Sequence, residues 1–236
     1  MNFKKIIFGT FVSIVAFHSM AEGFSIDTTR VIFRETDNIA HFSVSNSTEN
    51  SDYLVQSWVD NRGVNDDKKD QKEPSFIITP PIVKSNSKSR NTLKVIKVND
   101  DLAKDRESVY WIDVKSIPRI KETRSGNSLN IAVKSRIKLF YRPSMVTEQY
   151  PDGNNANDSL RFSVKNNELV IDNPSPFYVS FYKLKLNQKD VDIGYQMVEP
   201  YSTKKINNRK IKPGTKLSWS TINDFGAVSK TKTQIL

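Results

Sequence analysis

The sequence predicts an all-β protein, and three observations carry that expectation. Apolar and polar residues alternate with period two along much of the chain, which puts one face of each strand in a core and the other in water. Turn-forming residues recur between the alternating runs. No stretch of ten or more residues carries a 3.6-residue apolar period. Many short strands with frequent turns point to β-sandwich architecture.

The elements follow in order. Met1–Ala21 reads as an export signal: Lys4 and Lys5 form a positive start, Ile6–Phe17 is apolar, and Ser19 and Ala21 are the small residues before a cut. The apolar run is shorter than the roughly 20 residues a bilayer crossing needs, so cleavage after Ala21 is expected. Alternation then appears at Ala40, Phe42 and Val44, and at Tyr110, Ile112 and Val114. It returns at Leu160, Phe162 and Val164, and at Tyr182, Leu184 and Leu186. Between the runs lie Asn46-Ser47, Asn61-Arg62-Gly63, Pro80-Pro81, Ser125-Gly126-Asn127, Asp152-Gly153-Asn154 and Pro213-Gly214. About 215 mature residues suit one large sandwich or two ordinary ones. A strong strand stops at Tyr141-Arg142-Pro143, where proline cannot donate to a ladder, and turn-rich sequence follows through Asn157. The expectation is therefore two domains, 22–143 and 144–236, after a signal peptide at 1–21.

Composition excludes several classes of function. The 236 residues include 36 Lys+Arg against 26 Asp+Glu, no Cys and two His. Without Cys there is no disulfide framework, thiolate zinc site or cysteine nucleophile. Cleavage would remove Lys4, Lys5 and His18, leaving a charge of +8 and His41 as the sole histidine. With no glycine-rich phosphate loop, metal-ligand cluster or paired general acid and base, no enzyme, metal or cofactor is expected. The basic residues are scattered along an exported chain, which argues against nucleic acid and fits steering toward acidic partners.

The most informative segment is Ser128–Arg142. One face carries Leu129, Ile131, Val133, Ser135, Ile137, Leu139 and Tyr141; the other carries Asn130, Ala132, Lys134, Arg136, Lys138, Phe140 and Arg142. A strand is typically about 5–6 residues, so this run is one very long strand, two consecutive ones, or one with a bulge. Continuous and at a sheet edge, it would offer unpaired backbone beside a row of apolar knobs, an arrangement that recruits another chain.

Ile137-Lys138-Leu139-Phe140-Tyr141-Arg142-Pro143 resembles the signature of the periplasmic pilus chaperones of the chaperone–usher pathway, the PapD-like family. Thr29-Arg30-Val31-Ile32-Phe33 is similar to that family's first strand, and Thr79-Pro80-Pro81 to a loop holding a cis proline. Asp105-Arg106-Glu107-Ser108 with Ile117-Pro118 is similar to the segment around the next strand. Asn173-Pro174-Ser175-Pro176-Phe177-Tyr178-Val179 and Ile222-Asn223-Asp224-Phe225-Gly226 match two domain-two motifs. The resemblance covers essentially the whole mature chain.

It implies two immunoglobulin-like β-sandwiches in an L-shaped arrangement with a cleft between them. It also implies a non-catalytic periplasmic protein that binds pilus subunits, completes their unfinished sandwich with a lent strand, and delivers them to an outer-membrane usher. Leu129, Ile131 and Val133 become the groove-filling knobs, and Arg30 and Lys138 the holders of the subunit's C-terminal carboxylate. Glu107, Arg142 and Asp224 become an ion-pair network tying the domains together. No cofactor, metal, nucleic acid or small-molecule substrate is implied, and self-association of the free protein would cover its open edge. The chain lacks the domain-two disulfide of many members, and the short stretch between Pro118 and Leu129 is similar to the short-loop subgroup. The competing reading is a secreted structural pilus subunit or adhesin-like sandwich, which would be shorter and would not continue past Pro143 into a second sandwich.

Overall fold

The computed structural model describes residues 23–61, 63, 73–119, 129–191, 193, 197–207, 211–212 and 214–236. Residues 1–21, the expected export signal, lie outside the described residues. Nine strands precede Pro143: β1 (Phe24–Ile26), β2 (Arg30–Arg34), β3 (Ile39–Asn46), β4 (Tyr53–Asp60), β5 (Phe76–Thr79), β6 (Ile82–Ser85), β7 (Ser89–Lys97), β8 (Ser108–Pro118) and β9 (Val133–Arg142). They form two sheets, β1-β3-β7-β5 and β2-β9-β8-β4-β6, in which only β2 and β9 pair in parallel. Alternation explains the packing: Ala40, Phe42 and Val44 of β3 meet Ile112 and Val114 of β8 and Ile137, Leu139 and Tyr141 of β9 in one core. The peptide bond between Thr79 and Pro80 is cis.

Two short helices, α1 (Ser144–Gln149) and α2 (Ala156–Ser159), lead into eight further strands: β10 (Arg161–Lys165), β11 (Glu168–Asn173), β12 (Val179–Leu186), β13 (Lys189–Asp190), β14 (Met197–Val198), β15 (Ser202–Asn207), β16 (Lys216–Thr221) and β17 (Lys232–Ile235). The sheets are β10-β11-β15 and β13-β12-β16-β17, with β14 also on β12. Their core centres on Leu169, Ile171, Phe177, Leu184 and Leu217, with the Trp219 and Phe162 rings 4.5 Å apart.

Simple alternation fails at two places. Tyr182, expected on the apolar face with Leu184 and Leu186, is exposed, because the β12–β16 register shifts between Phe181 and Lys183. On β8 the outward-facing Asp113 is fully buried. Its carboxylate takes two hydrogen bonds from Arg136 of β9, at 2.7 and 2.6 Å, while Arg136 also donates to Asp60 and to the Gly63 carbonyl.

The long segment resolves into one continuous ten-residue strand, and Leu129–Ala132 run on without sheet pairing. Strand β8 covers β9 from Val133 to Tyr141, but β2 covers the other side only from Lys138 to Arg142. Over Val133–Ile137, then, one side of β9 is a bare edge among the described residues.

Candidate functional site

Alternation along β9 organises the site. Lys138, Phe140 and Arg142 share the face turned away from their own core. Phe140 is buried with its ring 5.9 Å from that of Tyr178 in the second sandwich, so this face forms the contact between the sandwiches.

Arg30 and Lys138 are register partners in the parallel β2–β9 pair, on strands about 4.8 Å apart. The Arg30 guanidinium is buried over the Phe140 ring, 5.9 Å from its centroid, and donates through Nη1 to the Ile222 carbonyl at 3.3 Å. Its Nε is buried with no hydrogen-bond acceptor among the described residues. Lys138 Nζ donates to Ser180 Oγ at 2.8 Å. Burial, reinforced by the charge of Arg30, brings the Lys138 ammonium down to about 8. Burial also lowers Arg30, against the opposing pull of Asp224 and Glu107. The pair is thus two crowded cations whose hydrogen-bond partners here are neutral oxygens. A buried donor without an acceptor is costly, and a carboxylate would satisfy it through charge-assisted hydrogen bonds.

The nearby carboxylates are already engaged. Arg142 donates from Nε and Nη2 to Glu107 Oε1 at 3.0 and 2.8 Å, and from Nη1 and Nη2 to Asp224 at 2.8 and 2.9 Å. Glu107 Oε2 accepts the Tyr178 N–H at 2.9 Å, and Asp224 Oδ2 the Asn154 N–H at 3.2 Å. Burial pushes Glu107 up to about 7 despite Arg142. Burial works the same way on Asp224, but there the hydrogen bonds and charge of Arg142, helped by Asn154 and Arg30, hold the carboxyl below its usual range. Glu107 and Arg142 lie in the first sandwich and Asp224 in the second, so the network spans the contact between the two. Gly153, at φ +84°, makes room for it: a Cβ there would sit 2.7 Å from Asp224 Oδ2.

Leu129, Ile131 and Val133 are 85%, 63% and 53% exposed, in line with the β9 face that passes through the exposed Ser135 to the buried Ile137, Leu139 and Tyr141. Sequence reasoning missed the Arg136–Asp113–Asp60 cluster, the Ser180 and Ile222 contacts of the two cations, and the exposure of Phe225. Asp113 and Arg136 do stand on outward positions of consecutive strands, which was the available signal; the other partners lie 42 and 192 residues away in sequence. Among the described residues no group of three or more His, Cys, Asp or Glu is placed to hold a metal.

Two immunoglobulin-like sandwiches meeting at a basic cleft, with one strand running out of its sheet, define a two-domain binding protein. Two family models match: "Pili and flagellar-assembly chaperone, PapD N-terminal domain" over residues 23–147, and "Pili assembly chaperone PapD, C-terminal domain" over 155–233. The chain belongs to the PapD-like family of pilus-assembly chaperones. It is 34% identical to the chaperone protein LpfB of Salmonella typhimurium over 242 residues, covering 99% of each chain. It is also 34% identical to the probable fimbrial chaperone LpfB of Escherichia coli O157:H7, covering 89% of this chain and 88% of that one. Among solved structures it is similar to the periplasmic chaperone SfaE, with TM-score 0.70 and 32% identity over 91% of this chain and all of that one. It is similar too to a Salmonella enterica complex of the SafA pilin with the SafB chaperone, with TM-score 0.75 and 26% identity over 92% and 98%. The function is that of a fimbrial chaperone, a non-enzymatic role, and the pilus-subunit reading is not favoured.

Proposed function

We propose that this chaperone captures pilus subunits in the periplasm by lending them the open half of β9. On this reading residues 1–21 direct export and are cleaved after Ala21; residues 22–143 form the strand-lending domain and 144–236 the domain that closes the cleft. A subunit whose sandwich lacks a strand pairs its backbone with the bare edge at Val133–Ile137 and with the free segment before it. Leu129, Ile131 and Val133 fill its open core. Its C-terminal carboxylate sits between Arg30 and Lys138, where β2 ends and the guest strand takes over its place beside β9. The clamp sets the register, because a slip of one residue would turn every knob to the wrong face. Burying each aliphatic knob is worth roughly 1.5–3 kcal/mol in transfer terms, before ordering costs. Delivery to an outer-membrane usher follows capture, and self-association covers the edge in the free protein.

The single observation that carries this reading is the apolar row that runs from the core along β9 into solvent, beside Lys138 and an Arg30 whose buried Nε has no acceptor among the described residues. The test is to refold a one-domain pilin with the chaperone and measure complex formation by native electrophoresis. A 1:1 complex is expected with the natural chain, and none with the folded Arg30→Ala/Lys138→Ala variant. Equal capture by that variant would overturn the clamp.

A further inference from the structure

Phe225 is 94% exposed, the most exposed of the large apolar side chains among the described residues, yet its loop is tightly built. The Asn223 side-chain oxygen accepts the N–H groups of Phe225 and Ala227 at 3.1 and 2.9 Å. The Asn223 N–H donates to the Ala227 carbonyl, the Gly226 N–H donates to the Asn223 carbonyl, and Ile222 bridges Val228. The residues on either side of Phe225 are both tied to the first sandwich. Asp224 is held by Arg142. Gly226, at φ +81°, approaches Thr29 so closely that a Cβ would sit 2.7 Å from its Oγ1. The exposed ring is not held by the core, and leaving it in water forgoes the favourable transfer of its area.

The position of the loop supplies a use. Thr29 immediately precedes Arg30, the first residue of β2, and the parallel register sets Arg30 level with Lys138. One step before that level, β2 gives way and the edge of β9 lies open. A strand entering with its carboxylate on Arg30 and Lys138 therefore passes its last residues beside Thr29 and the Asn223–Gly226 loop. Ile222, whose carbonyl holds Arg30, opens the same loop.

We infer that Phe225 is a specificity contact for the guest: its ring packs on the side chain at or next to the guest's C-terminus and favours an apolar or aromatic residue there. The inference deepens the capture reading and rests on it. Aromatic pairing of this kind contributes modestly, so Phe225 selects among guests that the clamp and knobs already hold.

The test uses the mature full chain and three fluorescent twelve-residue peptides of alternating Val and Thr. One ends in Phe-Val with a free carboxylate, one in Ser-Val with a free carboxylate, and one in Phe-Val with a carboxamide. Binding is read by anisotropy. The natural chain is expected to prefer the Phe peptide to the Ser peptide about three- to tenfold. Phe225→Ala should abolish that preference, Phe225→Tyr should restore it, and thermal unfolding should be the same for all three proteins. If the carboxylate peptides outbind the carboxamide but Phe225→Ala leaves the preference intact, this inference is overturned while the clamp stands. If the carboxamide binds as well as its acid counterpart, the clamp fails and the inference falls with it.

Discussion

Strand β9 and the segment that leads into it are built from the same alternating pattern and end in opposite environments. From Lys138 to Tyr141 both faces are buried or half-buried and both edges are paired, by β2 and β8. From Leu129 to Val133 the same apolar face lies open, and the edge left by β2 carries no partner among the described residues. Chemistry does not separate the halves, since Leu129 and Leu139 are the same residue type at 85% and 0% exposure. Position does. Side-chain pattern thus encodes where a segment is apolar, while its place relative to the two sheets decides whether that surface is sealed in the chain's own core or left open.

The comparison breaks most severely if the buried half is damaged. Arg142→Ala would leave Glu107 and Asp224 without their shared cation. Stranding a buried charge costs roughly 3–5 kcal/mol, and the contact between the sandwiches goes with it. Urea unfolding of the mature chain should show that loss, with the two domains no longer melting together. Leu139→Ala follows, at roughly 2–5 kcal/mol for a large-to-small change in a core. Retained stability in both variants would mean that the buried half does not hold the fold together.

The exposed half should respond in the other coin. Ile131→Asp is expected to leave unfolding within about 0.5 kcal/mol of the natural chain, as surface substitutions usually do. Subunit capture should fall by roughly ten- to a hundredfold, the equivalent of one aliphatic group kept out of an apolar groove. A pull-down that is unchanged by Ile131→Asp would remove the distinction between the halves.

How far the sequence reveals this arrangement depends on what each feature rests on. Alternation is a local property, so the faces of β3 and β9 are legible from the residues alone. A register shift is not local, which is why Tyr182 reads as core and stands in water. The alternatives left open for Ser128–Arg142 are separated by pairing: what looks like one uninterrupted pattern is a paired strand from Val133 preceded by four residues without sheet partners. The two cations could be named only through motif resemblance, because scattered lysines and arginines look alike in a basic chain. That Arg30 lies beside Lys138 is a consequence of parallel pairing across more than a hundred residues. Asp113 shows the limit of the rule that polar residues face outward: on a β-sheet an outward carboxylate can still be buried when a cross-strand arginine reaches over it.

The smallest effect is expected where the two halves join, at Lys138. Its ammonium titrates near 8, against 10.5 for an unperturbed lysine, because burial and Arg30 disfavour the charged form. In the free protein the unfolded chain therefore binds more protons than the folded one between about pH 8 and 10.5, so stability rises with pH across that window. Capture should run the other way. A guest carboxylate favours charged Lys138, so binding above pH 8 takes up a proton and the affinity falls, by at most about tenfold per pH unit. Below pH 8 this residue contributes no slope. Anisotropy titrations of a free-carboxylate peptide from pH 7 to 10 should show a decline that begins near 8, disappears in Lys138→Met, and moves beyond the range in Lys138→Arg. A decline that survives in Lys138→Met would assign the proton to another group and detach the clamp from the strand that carries it.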